Sequence, residues 1–455
     1  MYIIMKKLHH IYIALILLAA ACVLDSCVDD LHERDFQHEI SNWNDASAMD
    51  RVVSEETRKV LLLYSAGFNS LSSYLQQDID DLKKGYIPPL HRNQDVLLVY
   101  SHFPSKSNAY AVNNPPVLTR LYRTMEGRVE ADTLVVYDEA SVSASAAHMN
   151  EVLTYIRDEF PAKSYGMIFS SHATGYLPSG YYSAADQYEN GNIARTNLMS
   201  SPVGLVPVPY VAPEYDEADP PVKSIGQTLI SVNNNKMSYE MDIKDFAAAI
   251  PMRMDYILFD ACLMGGVEVA YELKDVCNRV AFSQTEVLAE GLNYSTLAEH
   301  LINVEDSMPV EVCRDYFTQY DSQSGVMRSA TISLVDCRKL DRLVAVCSDL
   351  FSTYRSSINT LNHSKVQRYY RSSYHWFYDL ESILVQAGAN QQELADLRQA
   401  LDECVVYKAS TPSFMNSFSI NVFSGFSMFL PSHGGNYLKS YYRTLGWNNA
   451  TGLVQ

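Results

Sequence analysis

The chain has 455 residues, beyond the size at which one hydrophobic core stops growing, so it forms one large domain or two ordinary ones. Hydrophobic residues make up 47% and charged residues 19%, globular proportions that exclude a disordered or collagen-like chain. A polyanion binder needs a basic surface, so a net charge of −18 argues against nucleic acid as a partner.

Lys6 and Lys7 precede an apolar run from Ile11 to Leu24. That run is too short to span a bilayer and has the pattern of an export signal. It ends in Leu24-Asp25-Ser26-Cys27, which resembles a bacterial lipobox with Cys27 as the acylated new N-terminus. Cys22 is the competitor, but the residue three positions upstream is the small Ala19. Val28-Asp29-Asp30 resembles the surface-export tag of Bacteroides-type lipoproteins. The expectation is a lipoprotein signal peptide over 1–26 and an acylated cysteine with a polar tether over 27–57. A lipid anchor would then place the chain on the outer membrane or cell surface. A plain signal peptide with an incidental cysteine is the alternative.

From 58 onward strands and helices alternate, which predicts an α/β domain over 58–359 built on a mostly parallel sheet flanked by helices. Val60 to Tyr64 is a continuous apolar run, as for a strand covered on both faces. A helix follows with Leu71, Leu75, Ile79 and Leu82 on one stripe and Gly85 as its stop. Val96–Tyr100 and Thr133–Tyr137 read as strands. Met149, Val152, Leu153, Ile156 and Phe160 stripe a helix, and Gly166–Ser170 is the next strand. Periodicity stops from 176 to 222, where Pro178, Pro202, Pro207, Pro209, Pro213, Pro220 and Pro221 fall, so this stretch reads as a long loop. The pattern resumes with a helix near Phe246, a strand at Tyr256–Phe259, a helix from about Gly265 to Val276 and a strand at Arg279–Ser283. Val326–Val335 is a strand, and Leu340, Leu343, Cys347, Leu350 and Tyr354 stripe the helix after it. Residues 360–455 read as two helices and a hairpin-like strand pair, a C-terminal α+β subdomain packed on the first domain.

Two strand ends carry residues with chemistry. One is Ile168-Phe169-Ser170-Ser171-His172-Ala173-Thr174-Gly175, the other Phe259-Asp260-Ala261-Cys262-Leu263-Met264-Gly265-Gly266. Ligands of open α/β sheets bind in the crevice beyond the carboxyl ends of the strands, so His172 and Cys262 can face one crevice. The small residues after each leave room for a carbonyl group and offer N–H groups to an oxyanion. Cys262 also precedes the predicted helix, whose N-terminus favours a thiolate. This is the pattern of a cysteine nucleophile with a histidine acid–base partner; buried structural roles for both are the alternative. His102 also follows a strand but has no small flanking residues and is followed by Pro104, and His433 before Gly434-Gly435 reads as a turn.

Together with Leu62-Leu63-Tyr64, the strand closing on His172 and the block Asp260-Ala261-Cys262-Leu263-Met264-Gly265-Gly266-Val267-Glu268 resemble the clostripain family of cysteine peptidases. So do Ala281-Phe282-Ser283-Gln284-Thr285-Glu286 and the later Ser424-Gly425-Phe426-Ser427-Met428-Phe429-Leu430-Pro431. The resemblance implies a caspase-like fold and an endopeptidase that cuts proteins or peptides after Arg or Lys. It implies Cys262 as nucleophile, His172 as the dyad histidine, the N–H groups of Ala173 and Cys262 as the oxyanion hole, and Asp260 as the acidic residue of the S1 pocket. Ala173 stands where the family has Gly, which narrows that position. The competing expectation is a non-catalytic surface binding lipoprotein that retains the fold.

Family members are often cut between the histidine and the cysteine, and the only basic residue of the loop 176–222 is Arg195, an expected self-cleavage point. The family is associated with Ca²⁺, yet no D-x-[DN]-x-[DN]-G loop is present. No metal or cofactor is therefore expected in the chemistry, and any Ca²⁺ effect is expected on stability or loop order. The other cysteines show no C-x-x-C spacing and read as buried thiols. No P-loop, dinucleotide fingerprint or H-E-x-x-H is present.

Overall fold

The computed structural model describes residues 57–90, 95–104, 114–191, 208–209, 222, 228–232, 235–371 and 376–455. The expected signal segment, Cys22, Cys27, the tether through 56 and Arg195 lie outside them. Residues Thr57–Gln455 cluster as one unit.

Nine strands form one sheet. They are β1 (Thr57–Ala66), β2 (Asp95–His102), β3 (Val117–Arg123), β4 (Val129–Val136), β5 (Ala162–Ser170), β6 (Met254–Asp260), β7 (Cys277–Phe282), β8 (Thr331–Asp336) and β9 (Val405–Ser410). The spatial order is β9-β8-β7-β6-β5-β1-β2-β3-β4. The five central strands, β7 to β2, run parallel, and an antiparallel pair closes each edge. The sequence explains the division. Leu61 to Tyr64 of β1, Leu97 to Tyr100 of β2 and Ile257 to Phe259 of β6 are buried runs, as strands covered on both faces must be. β4 and β9 carry exposed polar positions, which suits an edge that must not recruit another strand.

Helices α1 (Ser72–Leu82), α2 (Ala146–Glu159), α3 (Ile243–Ala248), α4 (Val267–Leu273), α5 (Tyr294–Leu301), α6 (Pro309–Asp321) and α7 (Asp341–Thr360) flank the sheet. α2 starts where Ser145 accepts the His148 N–H, and buries Met149, Val152, Leu153 and Ile156 against the sheet. Gly166 of β5 packs under Tyr256 of β6, where a Cβ would lie 2.0 Å from the ring, so these two strands approach closely. The residues after 360 supply edge strand β9 and helices at 380–387, 391–404, 436–442 and 446–451.

Several expectations need correction. β3 and the helices α5 and α6 were not expected, and the aperiodic stretch contains a helix, Tyr181–Glu189, that buries Tyr181, Ala184 and Ala185. The helix expected from Gly265 begins at Val267 and has seven residues. The residues between Cys262 and Gly266 instead pair with the extension of β7: Leu263 N–H donates to Thr285 O at 2.9 Å and Gly265 N–H to Ser283 O at 2.7 Å. The helix therefore starts at Val267, with Gly266 as its N-cap, and not directly after Cys262.

Candidate active site

The parallel register assembles the site. Ser65 of β1 pairs with Ser170 of β5, and Ser170 pairs with Asp260 of β6. Three loops therefore leave the sheet side by side at its carboxyl edge: 67–71, 171–177 and 261–266. The histidine and cysteine loops touch through backbone. Gly175 sits at φ +61, and a Cβ there would come within 2.5 Å of Leu263 O. Leu263 itself has φ +61, a left-handed turn that a branched residue adopts only when its surroundings enforce it. Here the bonds to Ser283 and Thr285 enforce it, and the turn sets the direction of Cys262.

His172 is buried, with Nε2 3.3 Å from Ser70 Oγ. Its ring lines an apolar pocket with Ala66, Phe169, Ala173, Ile243 and Met264. Cys262 is 0% exposed and does not line that pocket. Its Sγ accepts the Val287 N–H at 3.0 Å, so the segment 285–288 covers the thiol. That segment is held in turn. Gln284 Nε2 donates to Ser333 Oγ at 3.1 Å and Gly425 O at 2.8 Å, and Leu288 bridges to Val222. Arg371 grips Glu286 with two nitrogens, at 2.5 and 2.9 Å.

Asp260 is also fully buried. Along β6 successive side chains alternate faces, so Phe259 lines the His172 pocket while Asp260 turns to the opposite face. There its Oδ2 accepts from Tyr294 OH at 2.7 Å and from Ser170 Oγ at 3.2 Å. Burial, with the Asp260 charge as a further cause, pushes the phenols of Tyr294 and Tyr316 upward.

Below the cysteine loop, Glu268 in the first turn of α4 accepts from Phe429 N at 2.9 Å and Tyr442 OH at 2.7 Å. Burial raises its carboxyl to about 7. Ser427 N–H donates to Gly265 O at 2.8 Å, so the C-terminal segment ties down the same loop.

The structure thus brings His172, Ala173, Asp260 and Cys262 to one edge. Ser70, Val287, Glu286, Arg371 and Tyr294 were not expected there. Glu286 lies within one of the family-like blocks, whereas nothing local marks Arg371. His102 stands apart on β2, stacked on Phe68 and bonded to Ser143 Oγ at 3.0 Å. Burial pushes it down to about 4, which makes it a neutral core residue. His433 stacks on His363 and bonds Tyr378 OH at 2.6 Å, within a structural turn. The six cysteines among the described residues, Cys262 included, are buried thiols outside any disulfide. Among the described residues no group of three or more His, Cys, Asp or Glu could hold a metal, and no helix is long and apolar enough to cross a membrane.

A parallel-centred α/β sheet with helices on its faces, carrying Cys and His on touching loops at its carboxyl edge, is the architecture of a class of cysteine peptidases. The model of the clostripain family matches residues 63–196 and 215–451, and the chain belongs to that family of cysteine proteases. Among solved structures it is similar to an inactive zymogen C11 protease from Parabacteroides distasonis, at 25% identity and TM-score 0.67, over 87% of this chain and 99% of that one. A secreted C11 cysteine protease from Bacteroides thetaiotaomicron shares the fold at 22% identity and TM-score 0.65, over 87% of this chain and 100% of that one. So does one from the same organism in complex with an irreversible peptide inhibitor, at 23% identity and TM-score 0.63, over 87% and 98%. No curated protein matches the chain.

Proposed function

We propose that the chain is an endopeptidase that cuts after Arg or Lys through a Cys262–His172 dyad. The observation that carries this reading is the backbone contact between the two loops, Gly175 against Leu263, in a member of a cysteine protease family. Cys262 Sγ, as thiolate, attacks the scissile carbonyl carbon, and the negative charge on the carbonyl oxygen is received by the N–H groups of Ala173 and Cys262. His172 gives a proton to the leaving amine as the C–N bond breaks, which leaves a thioester. It then takes a proton from the water that hydrolyses that thioester and frees Sγ. For attack, the segment 285–288 must withdraw from Sγ, so the described arrangement is a covered state of the site. Labelling by an arginine chloromethyl ketone, lost in Cys262→Ala, supports the enzyme; a non-catalytic binding protein never forms the adduct.

Asp260 is proposed as the charge that selects the basic P1 side chain, since a desolvated carboxylate rewards a cation and leaves an apolar side chain uncompensated. A peptide pool with every P1 residue should be cut after Arg and Lys, and Asp260→Ala should lose roughly 10–100-fold of that preference, the scale of one charge-assisted pair. Equal turnover of Leu and Arg peptides by the wild type would refute this.

We also propose that the chain opens itself after Arg195. Wild type should yield two fragments with a new N-terminus at Thr196, and Cys262→Ala should stay intact. A fully active single chain ends the idea, and identical nicking in both points to a foreign protease. For the address, Cys27→Ser should abolish incorporation of labelled palmitate and release the protein from the membrane fraction. Unchanged labelling would move the lipid elsewhere.

A further inference from the structure

The Glu286 carboxylate already holds a guanidinium. Arg371 Nε lies 2.5 Å from Oε2 and Nη2 2.9 Å from Oε1, the fork-to-fork geometry that Arg makes and Lys cannot. The pair is nearly dry: the Glu286 side chain is 1% exposed and that of Arg371 9%. Its position matters because Glu286 precedes Val287, whose N–H contacts Cys262 Sγ at 3.0 Å. The carboxylate is therefore one residue from the peptide group that covers the nucleophile. Asp260, by comparison, accepts from two neutral hydroxyls, those of Tyr294 and Ser170, on the face of β6 opposite the His172 pocket.

We propose that Glu286 is a second specificity-determining residue, a guanidinium site for the substrate's basic side chain, with Arg371 as the internal occupant that substrate displaces. This rests on the peptidase reading above. Exchange of one guanidinium for another keeps the buried carboxylate paired throughout. A neutral side chain would expel Arg371 and leave the charge uncompensated, which is strongly unfavourable. Arg371 can leave without unravelling an element, because residues 369–371 belong to no helix or strand. Displacing it also removes one of the holds on 285–288, so binding the correct side chain and uncovering Cys262 become one event. The bidentate geometry further implies Arg over Lys.

The test uses two peptides that differ only in Arg against citrulline, its uncharged isostere, at P1. Glu286→Gln is expected to lower the Arg-to-citrulline ratio of kcat/KM at least tenfold, while iodoacetamide still labels Cys262. Arg371→Met is expected to lower KM for the Arg peptide several-fold by removing the competitor, and Arg371→Lys to fall between it and wild type. An unchanged ratio in Glu286→Gln, or an unchanged or higher KM in Arg371→Met with a native melting temperature, overturns the proposal. A second readout needs no turnover. Agmatine should raise the melting temperature of Cys262→Ala/Arg371→Met, and clearly less in the same protein carrying Glu286→Gln, where only Asp260 remains. Absence of that rise overturns the guanidinium site even if peptides are cut. Its presence in a protein that cuts no peptide upholds the site and refutes the peptidase reading instead.

Discussion

Cys262→Ala is expected to reduce peptide cleavage by about 10⁴-fold or more, the scale seen when a covalent nucleophile is removed. His172→Ala is expected to cost about 10²–10⁴-fold, the range of a general acid–base group. If the two residues form the proposed dyad, the two losses should not add. The covered state adds a kinetic signature. With Sγ fully buried and engaged by Val287 N–H, alkylation of Cys262 in the intact chain should be much slower than in a chain opened between the His and Cys segments. Mass spectrometry of iodoacetamide-treated samples before and after that cut measures it. Equal rates would mean that the segment 285–288 does not guard the thiol.

The second large effect concerns Glu268. Burial raises its carboxyl from the ordinary 4.5 to about 7. Between those values the native protein holds a proton that the unfolded chain has released, so the contribution of Glu268 to stability is greatest below about 4.5 and falls as pH rises to about 7. A tenfold gain in proton affinity on folding is worth about 1.4 kcal/mol, so this group accounts for a loss on the order of 3 kcal/mol across that range. Glu268→Gln keeps an acceptor for Phe429 N–H and Tyr442 OH and cannot ionise. The difference in unfolding free energy between wild type and Glu268→Gln, followed from about pH 4 to about pH 8 by denaturant titration, should therefore drift against the wild type as pH rises. A constant difference would show that Glu268 keeps an ordinary carboxyl despite its burial. Because Glu268 anchors Phe429 and Tyr442 beneath the cysteine loop, the same titration reports how firmly that loop is seated.

The elements legible in the sequence were those with a single strong period. β1, β2, β6 and the second half of β5 are buried on both faces and read as apolar runs, and α2 and α7 carry clear stripes. β3 escaped because only Leu118 and Leu121 are buried in it, three apart among half-exposed Thr, Arg and Tyr, which matches no strand period. α6 had a usable signal in Pro309 at its first turn and the stripe Val312, Cys313, Tyr316 and Tyr320. The Tyr181–Glu189 helix had none, since its aromatic and small residues become helical by packing: Tyr181 stacks on Tyr437 and bonds Glu189 at 2.8 Å.

By itself the sequence determined the family, the α/β class and the pair of strand ends that carry His172 and Cys262, because these are written in contiguous residues. Tertiary structure decided what surrounds them. Which side chain meets Asp260, which peptide covers Cys262 and which cation pairs with Glu286 are contacts between residues 34, 25 and 85 positions apart. No local period encodes such partners. They follow from how the strands and the segments beyond them assemble, which seats Val287 on Cys262 and Arg371 on Glu286.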